Sequence, residues 1–180
     1  VGIPTRNNAE TIETTVRSLL EQSRRPDRIV VVDDSDDETT DIVRDIGDSV
    51  EIPIDIYPQS EQGIGVGAAR ADLYEHFEGD ILVCLDTNLR VESDWIEKRV
   101  EFHKANPHVG VLSGADEPGL AERVWDPKSE DYFRQANCSM TREAVEATSG
   151  WERNLPRGED WDAHIRLACA DVTAYIRGDL

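Results

Sequence analysis

The sequence predicts an α/β fold: a single domain with a mainly parallel central sheet flanked by helices. Three observations predict it. Short apolar runs alternate with helix-spaced segments over the first hundred residues, the order expected of a parallel sheet with right-handed crossovers. The runs themselves read as strands buried in a parallel sheet. Each run stops abruptly in polar residues: Val1-Gly2-Ile3 in Pro4-Thr5-Arg6-Asn7, Ile29–Val32 in Asp33-Asp34, and Ile81–Leu85 in Asp86-Thr87-Asn88. Parallel strands bring their C-terminal ends to one edge, where open α/β sheets bind ligands. Carboxylates gathered there repel a phosphorylated ligand unless a cation stands between them, so the pattern points to a metal-assisted nucleotide site.

The elements follow in order. The chain opens on a strand. Thr11 to Gln22 places Ile12, Val16, Leu19 and Leu20 at helical spacing. Asp27 to Val32 is a strand. Ser35 and Glu38 fit a capping box that opens a helix running to about Ile46. Ile52 to Tyr57 alternates apolar and polar residues as a strand does. Gly67 to Phe77 is a helix, Asp80 to Leu85 a strand, and Ser93 to Ala105 a helix that Ser93 can cap. Beyond Pro107 the regularity fades. Val109 to Leu112 is a short strand, Ala115 to Glu130 a loop, and Tyr132 to Met140 one or two strands. Arg142 to Ala147 and Gly158 to Ala170 are helices, and Thr173 to Leu180 is a strand with an abrupt stop. No internal repeat or low-complexity tract appears. Residues 1–106 form one half of the domain, and 107–180 an acceptor-side half on the same sheet.

At 180 residues the chain has room for one domain with a core. Its ends have the look of a fragment cut from a longer protein, so a membrane anchor would lie outside it. No apolar stretch approaches the roughly 20 residues of a membrane span, and no signal peptide is visible. Cys84, Cys138 and Cys169 lack metal-ligand spacing, and their odd number argues against a full disulfide set. They read as reduced, partly buried thiols, consistent with a cytoplasmic location.

Asp and Glu total 38 against 19 Lys and Arg, a net charge of -19 spread along the whole chain. Such a surface repels itself in dilute buffer. At molar salt the Debye length is only about 3 Å and the repulsion is screened. The composition predicts a halophilic protein of a salty cytoplasm, with an acidic mesophilic protein as the alternative. Nucleic-acid binding is disfavoured, because neutralising phosphates needs a basic patch.

Four constellations carry chemistry. Asp86 and Asn88 are oxygen ligands at i and i+2 on a turn, able to approach one hard cation; an Asx turn ending a strand is the plainer alternative. Asp33 or Asp34 can accept a uracil imide N–H or a ribose hydroxyl, or else the run Asp33–Asp37 serves the next helix N-terminus. Gly63 to Ala69 is a glycine-rich entry to a helix whose N–H groups can hold a phosphate, with Arg70 the residue best suited to meet an anion. Gly63, Gly65 and Ala68 also match the dinucleotide fingerprint formally, with Asp86 in its acidic position. Against that, Pro58 to Gln62 intervenes between strand and glycines. Glu159, Asp160 and Asp162 open a helix, where they either complement its dipole or place a carboxylate to accept a proton from a hydroxyl. Trp151 and Trp161 stack on a sugar or simply pack. The four histidines are isolated and no Ser sits in a nucleophile elbow, which discounts a hydrolase triad.

Together these segments resemble the family-2 glycosyltransferases of the GT-A fold. The likeness runs through Ile3-Pro4-Thr5-Arg6-Asn7, Val31-Val32-Asp33-Asp34-Ser35, Gly67-Ala68-Ala69-Arg70, Leu85-Asp86-Thr87-Asn88, Gly150-Trp151-Glu152 and Gly158-Glu159-Asp160-Trp161-Asp162, in family order. The resemblance implies inverting transfer of a sugar from a nucleotide-diphosphate donor of UDP or GDP type. It implies that Pro4, Thr5, Arg6 and Asp33 or Asp34 contact base and ribose. Asp86 and Asn88 fall on the family's Asp-x-Asp metal position, for Mn²⁺ or Mg²⁺, with Asn88 where the family usually has Asp. Asp160 falls on the catalytic base of the Glu159-Asp160 motif, and Arg70 or Arg142 is expected to assist the leaving group. The acceptor is not identified. A lipid-linked glycan at the cytoplasmic membrane face is the family expectation. Two alternatives stand beside this one: an NAD- or FAD-binding domain built on Gly63 to Ala68, and a non-catalytic nucleotide-sugar binder.

Overall fold

A computed structural model describes residues 1–114, 123–126, 135–155 and 157–180, and the backbone alone of Arg123. Most of the expected Ala115–Glu130 loop, and the first residues of the expected Tyr132–Met140 strand, lie outside the described residues.

The strand β1 (Gly2–Thr5) is followed by α1 (Ile12–Leu20), β2 (Ile29–Asp33), α2 (Thr39–Gly47), β3 (Ile54–Pro58), α3 (Val66–Glu75), β4 (Ile81–Leu85) and α4 (Trp95–Ala105). Then come β5 (Val109–Gly114), β6 (Arg123–Val124), β7 (Asn137–Thr141), α5 (Arg142–Thr148), α6 (Glu159–Cys169) and β8 (Thr173–Arg177). The described strands form one sheet in the order β3-β2-β1-β4-β7-β5-β8-β6. The stretch β3-β2-β1-β4 is parallel. Strand β7 runs antiparallel to both β4 and β5, whereas β5 and β8 are parallel. The expected α/β domain with helices on a largely parallel sheet is therefore present. The short β6, antiparallel to β8, falls inside the segment expected to be loop.

Alternation along β2 shows that both sheet faces are covered. Ile29 and Val31 join Ile3, Ile12, Val16 and Val43 on the α1/α2 side. Val30 and Val32 turn to the other side and meet Ala69 and Leu73 of α3. Helix α3 is rich in Gly and Ala because it lies close on the sheet: a Cβ added to Gly2 of β1 would sit 3.1 Å from Leu73 Cδ2. Farther along the sheet, Leu82, Val111, Met140, Val145 and Leu167 form a core under α5 and α6.

Two local expectations need correction. The Ser35–Glu38 capping box does not form. The Ser35 hydroxyl accepts the Asn7 N–H at 2.8 Å, the Thr39 N–H turns to Asp37 Oδ1 at 2.9 Å, and the helix starts at Thr39. Ser93 does not cap α4, which begins at Trp95; the Ser93 carbonyl instead accepts the Ser23 N–H at 2.7 Å. All three cysteines are free: Cys84 and Cys138, register partners on β4 and β7, are buried, and Cys169 is exposed.

Candidate active site

The strand order reverses between β1 and β4, and a cavity of about 310 Å³ opens at their C-terminal ends. This is the switch point at which open α/β sheets place ligands. Its walls include Pro4, Thr5 and Arg6 from β1 and the turn after it, Asp34 after β2, Gly65, Val66 and Ala69 at the start of α3, and Asp86, Thr87 and Asn88 after β4.

Asp33 and Asp34 part company at the end of β2. Asp33 is buried; its carboxylate accepts the Ser35 N–H at 3.0 Å and the Thr40 hydroxyl, and it does not line the cavity. Asp34 does line it. Its Oδ2 accepts the Gly63 N–H at 3.0 Å and lies 3.4 Å from Arg6 Nη1. The carboxylate thus tethers the glycine loop, whose Gly63 and Gly65 take φ values of 77° and 128° that favour glycine.

The turn after β4 is held from both sides. The Asp86 N–H donates to Ala136 O at 3.0 Å, just before β7. The Thr15 hydroxyl of α1 sits 2.7 Å from Thr87 O and 2.8 Å from Leu89 O. Helix α6 brings its own carboxylates to this turn. Gly158, at φ 82°, redirects the chain into α6, and Gly67 lets α3 and the incoming segment touch. A Cβ on Gly67 would stand 3.1 Å from Glu152 O and from Glu159 Cβ.

Arg70 joins these parts. Its Nη1 lies 2.7 Å from Asp160 Oδ1 and 3.0 Å from Glu159 Oε1, and its Nη2 3.5 Å from Asp86 Oδ1. Burial alone would lower its pKa, but Asp160 and Asp86 raise it above the ordinary arginine value, so it stays charged. A second ionic brace lies behind. Arg153 bonds Asp72 and Ser60 and reaches Glu75 Oε1 at 2.8 Å, while the Ser60 N–H donates to Asp72 Oδ2 at 2.8 Å. Burial raises the Asp72 pKa, yet the Ser60 N–H and Arg153 more than offset this and hold it below the usual carboxylate value.

The fold therefore gathers Pro4, Thr5, Arg6, Asp34, Asp86 and Asn88 on one cavity and links Asp86 to Glu159 and Asp160 through Arg70, beneath the wall. Arg142 is not part of this site. It bonds Gly79 O and lies 4.7 Å over the Phe77 ring, near the opposite end of β4. Trp151 is buried as packing, whereas Trp161 is 58% exposed. Sequence reasoning passed over Thr15, Gln59, Asp72 and Arg153. The available signal was polarity on otherwise buried helix faces, as for Thr15, which follows the apolar stripe of α1.

The donor set suits a hard divalent ion. Asp86 offers a carboxylate and Asn88 an amide oxygen, both on the cavity. Among the described residues no group of three or more His, Cys, Asp or Glu could hold an ion unaided. A Mg²⁺-like ion commonly takes one or two carboxylates and completes its shell with substrate phosphates and water. The residues present therefore fit an ion shared with a diphosphate.

Comparison with known proteins agrees with this architecture. The mannosyltransferase PcManGT from Pyrobaculum calidifontis, solved with GDP-Man and Mn²⁺, aligns with a TM-score of 0.74 over 98% of this chain and 55% of that chain, at 22% identity. S. aureus TarS 1–349, solved with UDP-GlcNAc, aligns at 0.76 over 99% of this chain and 55% of that chain, at 17% identity. Both show the GT-A fold expected from the sequence. A glucosyl-dolichyl phosphate glucuronosyltransferase of Haloferax volcanii is 27% identical over 94% of this chain, which spans only 54% of that relative's length. Gly63 to Ala68 thus belong to a chain whose relatives are glycosyltransferases, which sets the dinucleotide-binding alternative aside. The model of glycosyl transferase family 2 matches residues 1–167, from β1 through most of the helix that carries Glu159 and Asp160, and the chain belongs to that family.

Proposed function

We propose that this domain performs an inverting transfer of a sugar from a UDP- or GDP-type donor to an acceptor hydroxyl. One observation carries the proposal: Asp34 and Asp86 line one cavity, and Arg70, buried behind its lining, ties Asp86 to Asp160. Arg6, Pro4, Thr5 and Asp34 bind the base and ribose. The glycine loop, tethered by Asp34, closes one side of the nucleotide. Asp160 accepts the proton of the acceptor hydroxyl as its oxygen bonds to the anomeric carbon, opposite the departing diphosphate. Attack from that side inverts the configuration. Asp86 and Asn88 would hold Mn²⁺ or Mg²⁺, which supplies Lewis acidity toward the leaving diphosphate. A positioned base of this kind contributes about 10²–10⁴-fold.

Residues 1–106 then serve as the nucleotide-binding half, and 107–180 as the acceptor-side half that supplies the base. The dolichyl-linked substrate in the name of the Haloferax volcanii relative supports a lipid-linked acceptor and action close to a membrane; the cytoplasmic face is part of the proposal. Among the described residues no helix is long and apolar enough to cross a membrane. The charge of -19 supports a salt-rich cytoplasm, so assays belong in molar KCl.

Calorimetry with UDP and GDP, with and without Mn²⁺, tests donor binding. Release of UDP or GDP from a panel of nucleotide sugars tests turnover. The Asp160→Asn variant is expected to lose about 10³-fold in kcat while keeping donor affinity. Equal losses of affinity and turnover would refute the base. Binding without any release from the wild type would instead mark a non-catalytic nucleotide-sugar binder.

A further inference from the structure

Arg70 has a position that donor binding alone does not account for. Its side chain is 3% exposed and does not line the cavity. Its Nε is buried without a hydrogen-bond partner, so the whole group is committed to the protein interior. Both terminal nitrogens are directed at carboxylates from two distant stretches of chain: Asp160 and Glu159 at the start of α6, and Asp86 at the end of β4.

We propose that Arg70 is a positioning residue: its guanidinium sets the spacing between the ion-binding turn at Asp86 and the proton-accepting carboxylate of Asp160. It acts through those two residues and does not touch the donor. The inference rests on Asp160 being the base.

The physical case has two parts. The Asp160, Glu159 and Asp86 side chains are 17%, 14% and 34% exposed, so their mutual repulsion is poorly screened and needs an internal cation. A cation alone would meet that need. A planar fork does more, because its two nitrogens point in fixed, different directions and so set the separation of their partners. Gly67, one turn earlier on α3, lets Glu152 O and Glu159 Cβ approach to contact distance, which seats the start of α6 against α3. Lysine keeps the charge and loses the fork. Arg70→Lys therefore separates neutralisation from geometry.

The test uses the whole protein, with release of UDP or GDP from a panel of UDP- and GDP-sugars as the readout. Arg70→Lys is expected to lower kcat about 100-fold, the scale of an ångström-sized misplacement. KM for the donor and the affinity for UDP or GDP should stay within about threefold. Placed in an Asp160→Asn background, the same change should alter the residual turnover by less than about twofold, because the two residues act as one unit. Undiminished kcat in Arg70→Lys would overturn the inference. So would a fall in donor affinity matching the fall in kcat, or a full multiplicative loss in the double variant. Should Arg70→Lys fail to fold, Arg70→Met combined with Glu159→Gln removes one carboxylate along with the cation and so keeps the net charge of the cluster. That pair is expected to bind UDP or GDP and lose turnover, and retained turnover would overturn the proposal. Normal turnover in Asp160→Asn alone would sink the base itself, an outcome distinguishable from any result at Arg70.

Discussion

Two acid-rich regions of this molecule meet different fates. The run Asp33 to Asp37 is the densest block of carboxylates near the sheet edge, yet two of its four carboxylates are spent on neighbouring groups. Asp33 satisfies Ser35 and Thr40, and Asp37 satisfies the N–H groups of Ala9 and Thr39. Only Asp34 of this run lines the cavity. The second region, Asp86 with Glu159 and Asp160, is split by more than 70 positions of sequence and held together by one buried arginine. Local hydrogen bonds to backbone N–H groups build turns; a shared internal cation assembles a site. Charge density along a sequence is therefore a poor guide to where chemistry happens, and convergence in space is a better one.

Substitutions can break or sharpen this contrast. After Asp160, the largest effect is expected at Asp86. Asp86→Asn should lower turnover about 100-fold and shift the Mn²⁺ dependence to higher concentration, since a bound metal contributes several kcal/mol of charge stabilisation. Titrating turnover with Mn²⁺ checks it. Thr40→Val removes a donor from buried Asp33 and should cost about 1 kcal/mol of stability, read by chemical denaturation, with kcat unchanged. A comparable loss of turnover there would erase the distinction between the regions. The smallest effect concerns Asp72, whose folded-state pKa lies below 3.8. Its stabilisation is complete above the unfolded-state value and is lost as pH falls through the lower folded value. Asp72→Asn should therefore be less stable than wild type at neutral pH, and the gap should narrow below about pH 4. A gap that persists unchanged into acid would show that Arg153 does not act through the Asp72 charge.

Much of the scaffold could be read from the chain. The apolar stripe of Ile12, Val16 and Leu19 and the buried run Ile29–Val32 carry period and length information that neighbouring residues cannot disguise. Strand ends were legible for the same reason, and with them the cavity walls at Pro4, Asp34 and Asp86. Caps were less so. Ser35 has the residue type and spacing of a capping box, but Asn7, brought alongside by β1–β2 pairing, takes its hydroxyl. The brace of Arg153, Asp72 and Ser60 was invisible because its members are 12 and 81 positions apart and have no local signature. Arg70 was legible as an anion-facing residue; that its anions belong to the protein itself required the crossing of α3 and α6.

Strand β7 carries a practical consequence for anyone dissecting this enzyme family. It pairs with β4 along all five residues, from Ile81–Thr141 to Leu85–Asn137. Lifting out residues 1–106 as a portable nucleotide module would strip that cover and leave Ile81–Leu85 as a bare, greasy rim, a template for stacking one copy onto the next. It would also cut the Ala136 tie on the Asp86 turn. Any graft of the front portion therefore has to bring a replacement strand with it.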